Sequence, residues 1–200
     1  MRFKVLRMAK RRAGESREQF RTRWLTEHPK SSVITFATGE VALGGSEPPF
    51  DGMSATYFPT PDAALAAAAQ LSGDIVLACD EHLVSQKPKP ETKLKIVRTV
   101  YRRKDLSHQQ FKDYWLKNHS KLEDRVIAES PVQKIVATFA IPEPAKDPAF
   151  DGMVELYFAS AADIKAMFAG PIPAMMRKDE ENFVQMDAPA IRAVCEELPA

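Results

Sequence analysis

One stretch of this chain is written twice. Residues Phe3 to Lys30 align without a gap onto Leu94 to Lys121, with 11 identities in 28 positions. Unrelated segments of average composition would share about two, at roughly 6% per position. The matches include Lys4/Lys95, Arg7/Arg98, Arg11/Arg102, Arg12/Arg103, Ser16/Ser107, Phe20/Phe111, Trp24/Trp115 and His28/His119. Further on, Phe50-Asp51-Gly52-Met53 recurs as Phe150-Asp151-Gly152-Met153, and Tyr57-Phe58 recurs as Tyr157-Phe158. A duplication of this kind predicts two like modules. The offset grows from 91 to 100 between the two sets of matches, so the second copy holds nine extra residues. They are expected as an enlarged loop around the Pro-rich Ile141-Pro142-Glu143-Pro144 stretch.

Periodicity gives the order of elements within each copy. Val5 to Lys10 and Lys95 to Arg102 alternate apolar with polar residues and end in a polar turn, which predicts strands. Ser16-Arg17-Glu18-Gln19 and Ser107-His108-Gln109-Gln110 fit the capping box that satisfies the first free N–H groups of a helix. Phe20, Trp24 and His28 then fall on one helical face, as do Phe111, Trp115 and His119. Strands are predicted over about Ile34 to Leu43 and Ile135 to Ala140, each forming a hairpin with Met53 to Phe58 or Met153 to Phe158. Second helices start at Pro61-Asp62 and Ala162-Asp163, and last strands at His82 to Gln86 and Phe183 to Met186, with another over Ile191 to Cys195. The reading is α+β: two ferredoxin-like βαββαβ repeats, residues 1–90 and 91–200, joined by a Lys87-to-Thr92 linker. Each half leaves one sheet face uncovered, so the two halves are expected to close face to face into an intramolecular barrel around a small-molecule pocket.

Composition narrows the partners. The chain has 28 Lys plus Arg against 27 Asp plus Glu, a formal charge of +1, and no long single-sign run, which argues against nucleic acid and anionic membranes. Its start lacks an apolar leader segment, and no apolar run approaches the ~20 residues of a membrane span, so a cytoplasmic location is expected. Cys79 and Cys195 stand in contexts that read as unrelated, with no CxxC, so neither a disulfide nor a zinc site is expected.

The pattern Ser16-Phe20-Trp24-His28-Phe50-Asp51-Gly52-Tyr57, repeated as Ser107-Phe111-Trp115-His119-Phe150-Asp151-Gly152-Tyr157, resembles the EthD-type members of the dimeric α+β barrel superfamily. The resemblance implies a fused tandem version of a barrel that usually forms from two chains. It implies a small molecule as partner, with possible further pairing of fused barrels into a homodimer. It does not fix the reaction, because the superfamily spans cofactor-free oxygenases, isomerases, decarboxylases, cyclases and heme proteins.

Candidate residues follow from their chemistry. His28 and His119 can each move a proton near neutral pH, or simply hydrogen-bond the last carbonyls of a helix. Arg7 and Arg98 interrupt apolar alternation and either steady negative charge in a pocket or reach a carboxylate. Tyr57 and Tyr157 can donate to a substrate oxygen or pack. Trp24 and Trp115 suit the core as well as a ligand wall, and Asp51 and Asp151 suit a D-G turn as well as a site. His82, in Asp80-Glu81-His82, faces Glu180-Glu181-Asn182 in the expected alignment and lacks partners for a metal. No triad spacing, phosphate loop or dinucleotide fingerprint is visible. The reading is therefore an enzyme that needs no cofactor, of lyase, isomerase or decarboxylase type. A non-catalytic binding protein and a heme-binding barrel are the alternatives.

Overall fold

The computed structural model describes residues 1–38, 47–144 and 146–198. Its elements in chain order are β1 (Arg2–Ala9), α1 (Arg17–Glu27), β2 (Val33–Ala37), β3 (Gly52–Phe58), α2 (Pro61–Ala69) and β4 (Ile75–Gln86). The second half follows with β5 (Leu94–Val100), α3 (His108–Tyr114), a π-helical turn (Trp115–His119), α4 (Ser120–Glu129), β6 (Lys134–Ala140), β7 (Gly152–Phe158), α5 (Ala161–Ala169), α6 (Ile172–Glu180) and β8 (Arg192–Leu198). The part of the expected second strand beyond residue 38 lies outside the described residues.

The strands form one closed barrel in the order β1-β3-β2-β8-β5-β7-β6-β4. Each half contributes four strands in equivalent order, with β1 or β5 central, and the halves join edge to edge along two antiparallel seams, β4 with β6 and β2 with β8. Closure leaves no sheet edge unpaired among the described strands, which removes the aggregation hazard of an open edge. Both capping boxes form: the Ser16 hydroxyl accepts from Gln19 N at 3.1 Å, and the Ser107 hydroxyl from Gln110 N at 3.2 Å.

The recurring Asp-Gly has a packing cause. Asp51 and Asp151 accept the backbone N–H of Arg11 and Arg102 at 2.9 and 3.0 Å, tying the strand to the end of its neighbour. A Cβ at Gly52 would stand 2.7 Å from the Phe20 ring, and one at Gly152 3.0 Å from the Phe111 ring. The helix aromatics therefore lie directly on strand backbone, which only glycine allows.

Several expectations are corrected. The nine extra residues are not a loop at Ile141 to Pro144. Val33-Ile34-Thr35-Phe36-Ala37 and Val136-Ala137-Thr138-Phe139-Ala140 occupy matching register positions opposite Gly52 and Gly152, an offset of 103. Twelve extra residues (103 against 91) therefore precede β6, mostly in the helix α4, and the loop before β7 is three residues shorter (103 against 100) than the one before β3. Pro29 is the reason. It lacks an N–H and disfavours helix in the residue before it, so α1 stops at His28, whereas Ser120 in its place lets the second helix run on to Glu129. Phe183 to Met186 is not a strand; Val184 makes one isolated bridge to Arg102, and β8 is the true last strand. Nor is Glu180-Glu181-Asn182 the counterpart of Asp80-Glu81-His82. Lys4 pairs with Cys79 and Lys95 with Cys195, so Asp80-Glu81 corresponds to Glu196-Glu197, and the two cysteines are equivalent residues, both buried.

The inner faces of the two sheets do turn toward each other, but the space between them is filled. Leu6, Met8, Met53, Leu77, Cys79, Val97, Met153, Ala193 and Cys195, drawn from both halves, form one apolar cluster there. One end of the interior holds Lys4 and Lys95, each 1% exposed. Lys4 donates to Glu81 at 2.7 Å, and Lys95 to Glu155 at 2.5 Å and Glu197 at 2.6 Å. Only about 80 Å³ of open space remains beside them. The expected pocket is not inside the barrel, because side chains from eight strands meet across its axis.

Replacing Gly52 or Gly152 by Ala is expected to destabilise the fold by about 1–3 kcal/mol through overpacking. Urea unfolding measures this; a loss near zero in both variants would contradict the close helix-on-strand approach.

Candidate active site

Ligand-sized space lies on the outer face of the second half's sheet, beneath its helices. A cavity of about 410 Å³ is walled by Ile96, Ile135, Val154 and Leu156 from the strands and Trp115, Val126 and Phe168 from the helices. Its polar groups are Arg98, His119, Glu123, Arg177, Glu180 and Arg192. Side chains on a strand alternate in direction, so Ile96 and Arg98 face this cavity while Lys95 and Val97 face the barrel interior.

His119 is 2% exposed and ends the π-helical turn. Its Nδ1 lies 2.7 Å from Asp179 Oδ2 on α6. With a carboxylate as acceptor, Nδ1 carries the proton and Nε2 keeps its lone pair. Among the described residues Nε2 has no hydrogen-bond partner and is not sealed from the cavity. Asp179 is itself held by the Tyr114 hydroxyl, which donates to Oδ1 at 3.0 Å, and by the Asn182 side chain. Burial lowers the His119 pKa below the usual 6.5, with the Asp179 carboxylate pulling the other way, so the ring is neutral at pH 7.

Glu123 stands one helical turn beyond His119 and is 1% exposed. Trp115 Nε1 donates to its Oε1 at 3.2 Å, while Oε2 has no partner among the described residues. Burial against apolar walls pushes the carboxyl up to about 8, so it is mostly protonated at pH 7. Arg98 grips both oxygens of Glu180, one of them at 2.9 Å, so its charge is met inside the protein.

The first half holds the same motif differently. His28 Nδ1 lies 2.7 Å from the Trp24 carbonyl, and Arg7 Nη1 approaches Nε2 at 3.1 Å, so both ring nitrogens are engaged. Arg7 also donates to the Ser72 carbonyl and lies over the Trp24 ring. His28 is the helix cap, and burial with Arg7 nearby lowers its pKa. The π turn makes the difference. In α1 the Trp24 and His28 rings are 4.2 Å apart, but in the second half Trp115 and His119 are 5.8 Å apart, and the histidine swings from the helix carbonyl toward α6. Single π turns of this kind recur at functional sites.

The other candidates lie elsewhere. Tyr57 and Tyr157 donate to Glu81 at 3.0 Å and Glu197 at 2.9 Å in the charged end of the barrel interior. Asp51 and Asp151 hold their turns, the latter also contacting His108 at 2.9 Å. Trp24 is in the core and Trp115 forms a wall of the cavity. His82 lies edge-on to Phe139, 3.5 Å from Asp80. Sequence reasoning missed Glu123, Asp179 and Glu180. Glu123 continues the helical stripe of Trp115 and His119, and Pro173 at the start of α6 was a usable helix signal. Among the described residues there is no cluster of three His, Cys, Asp or Glu placed to hold a metal, and no helix long and apolar enough to cross a membrane.

Asp179→Asn is expected to lower the His119 pKa further below 6.5, because the carboxylate is what favours the charged ring. An NMR titration of the imidazole measures it; an unchanged or raised value would contradict the pairing.

Comparison with known proteins agrees with this architecture. Residues 103–187 match the EthD domain. An anthrone oxidase-like protein superposes with a TM-score of 0.67 at 6% identity, over 99% of this chain and 92% of that one. A candidate monooxygenase from Lactobacillus acidophilus NCFM superposes with a TM-score of 0.51 at 11% identity, over 98% and 93% of the two chains. No curated protein matches the sequence. The matched residues begin just after β5, run through α6, and carry Trp115, His119, Glu123 and Asp179. The chain thus carries an EthD domain match over residues 103–187, within a closed eight-stranded α+β barrel.

Proposed function

We propose that the outer cavity of the second half binds a small, mainly apolar metabolite with an acidic C–H or O–H group, and that His119 takes its proton without a cofactor. The observation that carries this reading is the state of the ring. Nδ1 is fixed by Asp179, Nε2 is free toward the cavity, and the imidazole is neutral at pH 7. A general base needs that combination of orientation and basicity. The walls favour an aromatic or aliphatic body, and removal of water strengthens each polar contact inside.

The remaining groups take supporting parts. Arg98, neutralised by Glu180, orders the cavity rim instead of presenting a bare charge. Tyr57, Tyr157 and His28 take no part, since none lines the cavity. Proton removal beside a carbonyl or from a phenol is the first step common to lyase, isomerase and decarboxylase chemistry. The name of the anthrone oxidase-like relative supports an aromatic ketone, whose methylene is acidic in the same way.

Deuterium uptake tests this. Wild-type protein in D₂O is expected to speed exchange at the acidic carbon of at least one compound in a panel of aromatic ketones that includes anthrone. His119→Ala should lose about 100-fold or more of that rate, and His28→Ala should keep it. Binding without exchange, or equal exchange by the His119 variant, contradicts the reading. A Soret shift on adding hemin that His119→Ala abolishes would replace it with a heme role.

A further inference from the structure

We infer that Glu123 is the acid partner of His119, its carboxyl turning from just beneath the cavity wall to donate the Oε2 proton to a carbonyl oxygen of the ligand. This rests on the reading of the cavity as a proton-transfer site and names the substrate class: neutral ketones with an acidic C–H next to the carbonyl.

Four observations carry it. Glu123 lines the cavity and is almost wholly buried, and its Oε2, covered just beneath the cavity surface, has no partner among the described residues. Its other oxygen accepts the Trp115 indole N–H, which assigns Oε1 as the carbonyl-like atom and leaves the proton on Oε2. The indole does not explain the carboxyl, because Trp24 in the first half is equally buried and its Nε1 has no partner among the described residues. The module folds without that bond. Finally, His119 and Glu123 are four residues apart on one helical face, about 5–6 Å between Cβ atoms, a span that suits a base and an acid acting on adjacent ligand atoms.

The step balances within the site. His119 Nε2 takes the proton of the C–H bond, the bonding pair becomes the new C=C, and the carbonyl π pair moves onto oxygen. That oxygen takes the Oε2 proton of Glu123, leaving an enol, an imidazolium held by Asp179, and a carboxylate. Return of the proton from His119 to the same carbon or a conjugated one, with the O–H proton going back to Glu123, restores both groups. A carboxylic acid kept neutral in an apolar site is a known way to stabilise such an oxygen. Burial first, then Asp124 and Glu180, raise the Glu123 pKa to about 8; Arg98, His119, Arg177 and Arg192 are the other charged or titratable groups around the cavity.

The probe is 9-fluorenone, an aromatic ketone without an acidic C–H, followed by titration and by its infrared carbonyl band. Bound to wild type at about pH 7, the band is expected to move to lower frequency, and affinity to fall about tenfold by about pH 9 as the carboxyl ionises. Glu123→Gln should keep the affinity and lose its pH dependence; Glu123→Leu should bind with the band unshifted. His119→Ala should retain the shift. An identical band in wild type and Glu123→Leu, or an unchanged pH dependence in Glu123→Gln, overturns the inference and leaves the His119 reading intact. Failure of wild type to bind fluorenone overturns both.

Discussion

The two antiparallel seams, β4 against β6 and β2 against β8, decide where everything else goes. By joining the sheets edge to edge they bring eight inward rows of side chains to a common axis, where Leu6, Met53, Leu77, Val97 and Met153 fill the middle. Lys4, Lys95, Glu81, Glu155 and Glu197 fill one end. Burial alone would raise the Glu155 pKa, yet Lys95 and Lys4 hold it at about 2, so the cluster stays ionised and needs every member. An interior so occupied has no room for a metabolite. The cavity of about 410 Å³ lies instead between the second half's sheet and its helices.

Two copies of one motif then diverged through a few residues. Pro29 ends the first helix at His28, whose ring folds back on the Trp24 carbonyl and is closed off by Arg7. Ser120 lets the second helix continue, and the π turn swings His119 outward. Residues 70–74 link α2 to β4, while residues 170–191 link α5 to β8 and include α6. Thus α4 supplies Glu123 and α6 supplies Asp179 and Glu180. The added helices complete the cavity, and the shorter copy serves as the other half of the barrel.

Much of this was legible in the sequence. The gapless repeat, the two Ser-x-x-Gln caps and the Phe-Trp-His stripe identified the modules, because caps and helical faces are local. The location of the cavity was not legible. Whether a barrel interior is empty depends on the summed volume of residues far apart in sequence, and on exchanges such as Ala55 in one copy for Glu155 in the other. The equivalence of Cys79 and Cys195 was hidden by the inserted α6, which broke the constant offset. The acid at Glu123 was hidden because the first copy ends before that position, so the repeat that revealed the fold also drew attention away from the unrepeated part.

The central claim is that the second half's outer cavity, and not the barrel interior, is where a ligand sits. Methyl-resolved NMR with 9-fluorenone tests it most directly. Shifts at Ile96, Val126, Ile135, Val154 and Leu156, with Leu6, Leu77 and Val97 unmoved, are the expected result. Shifts centred on Leu6, Leu77 and Val97 would place the ligand inside the barrel and contradict the account.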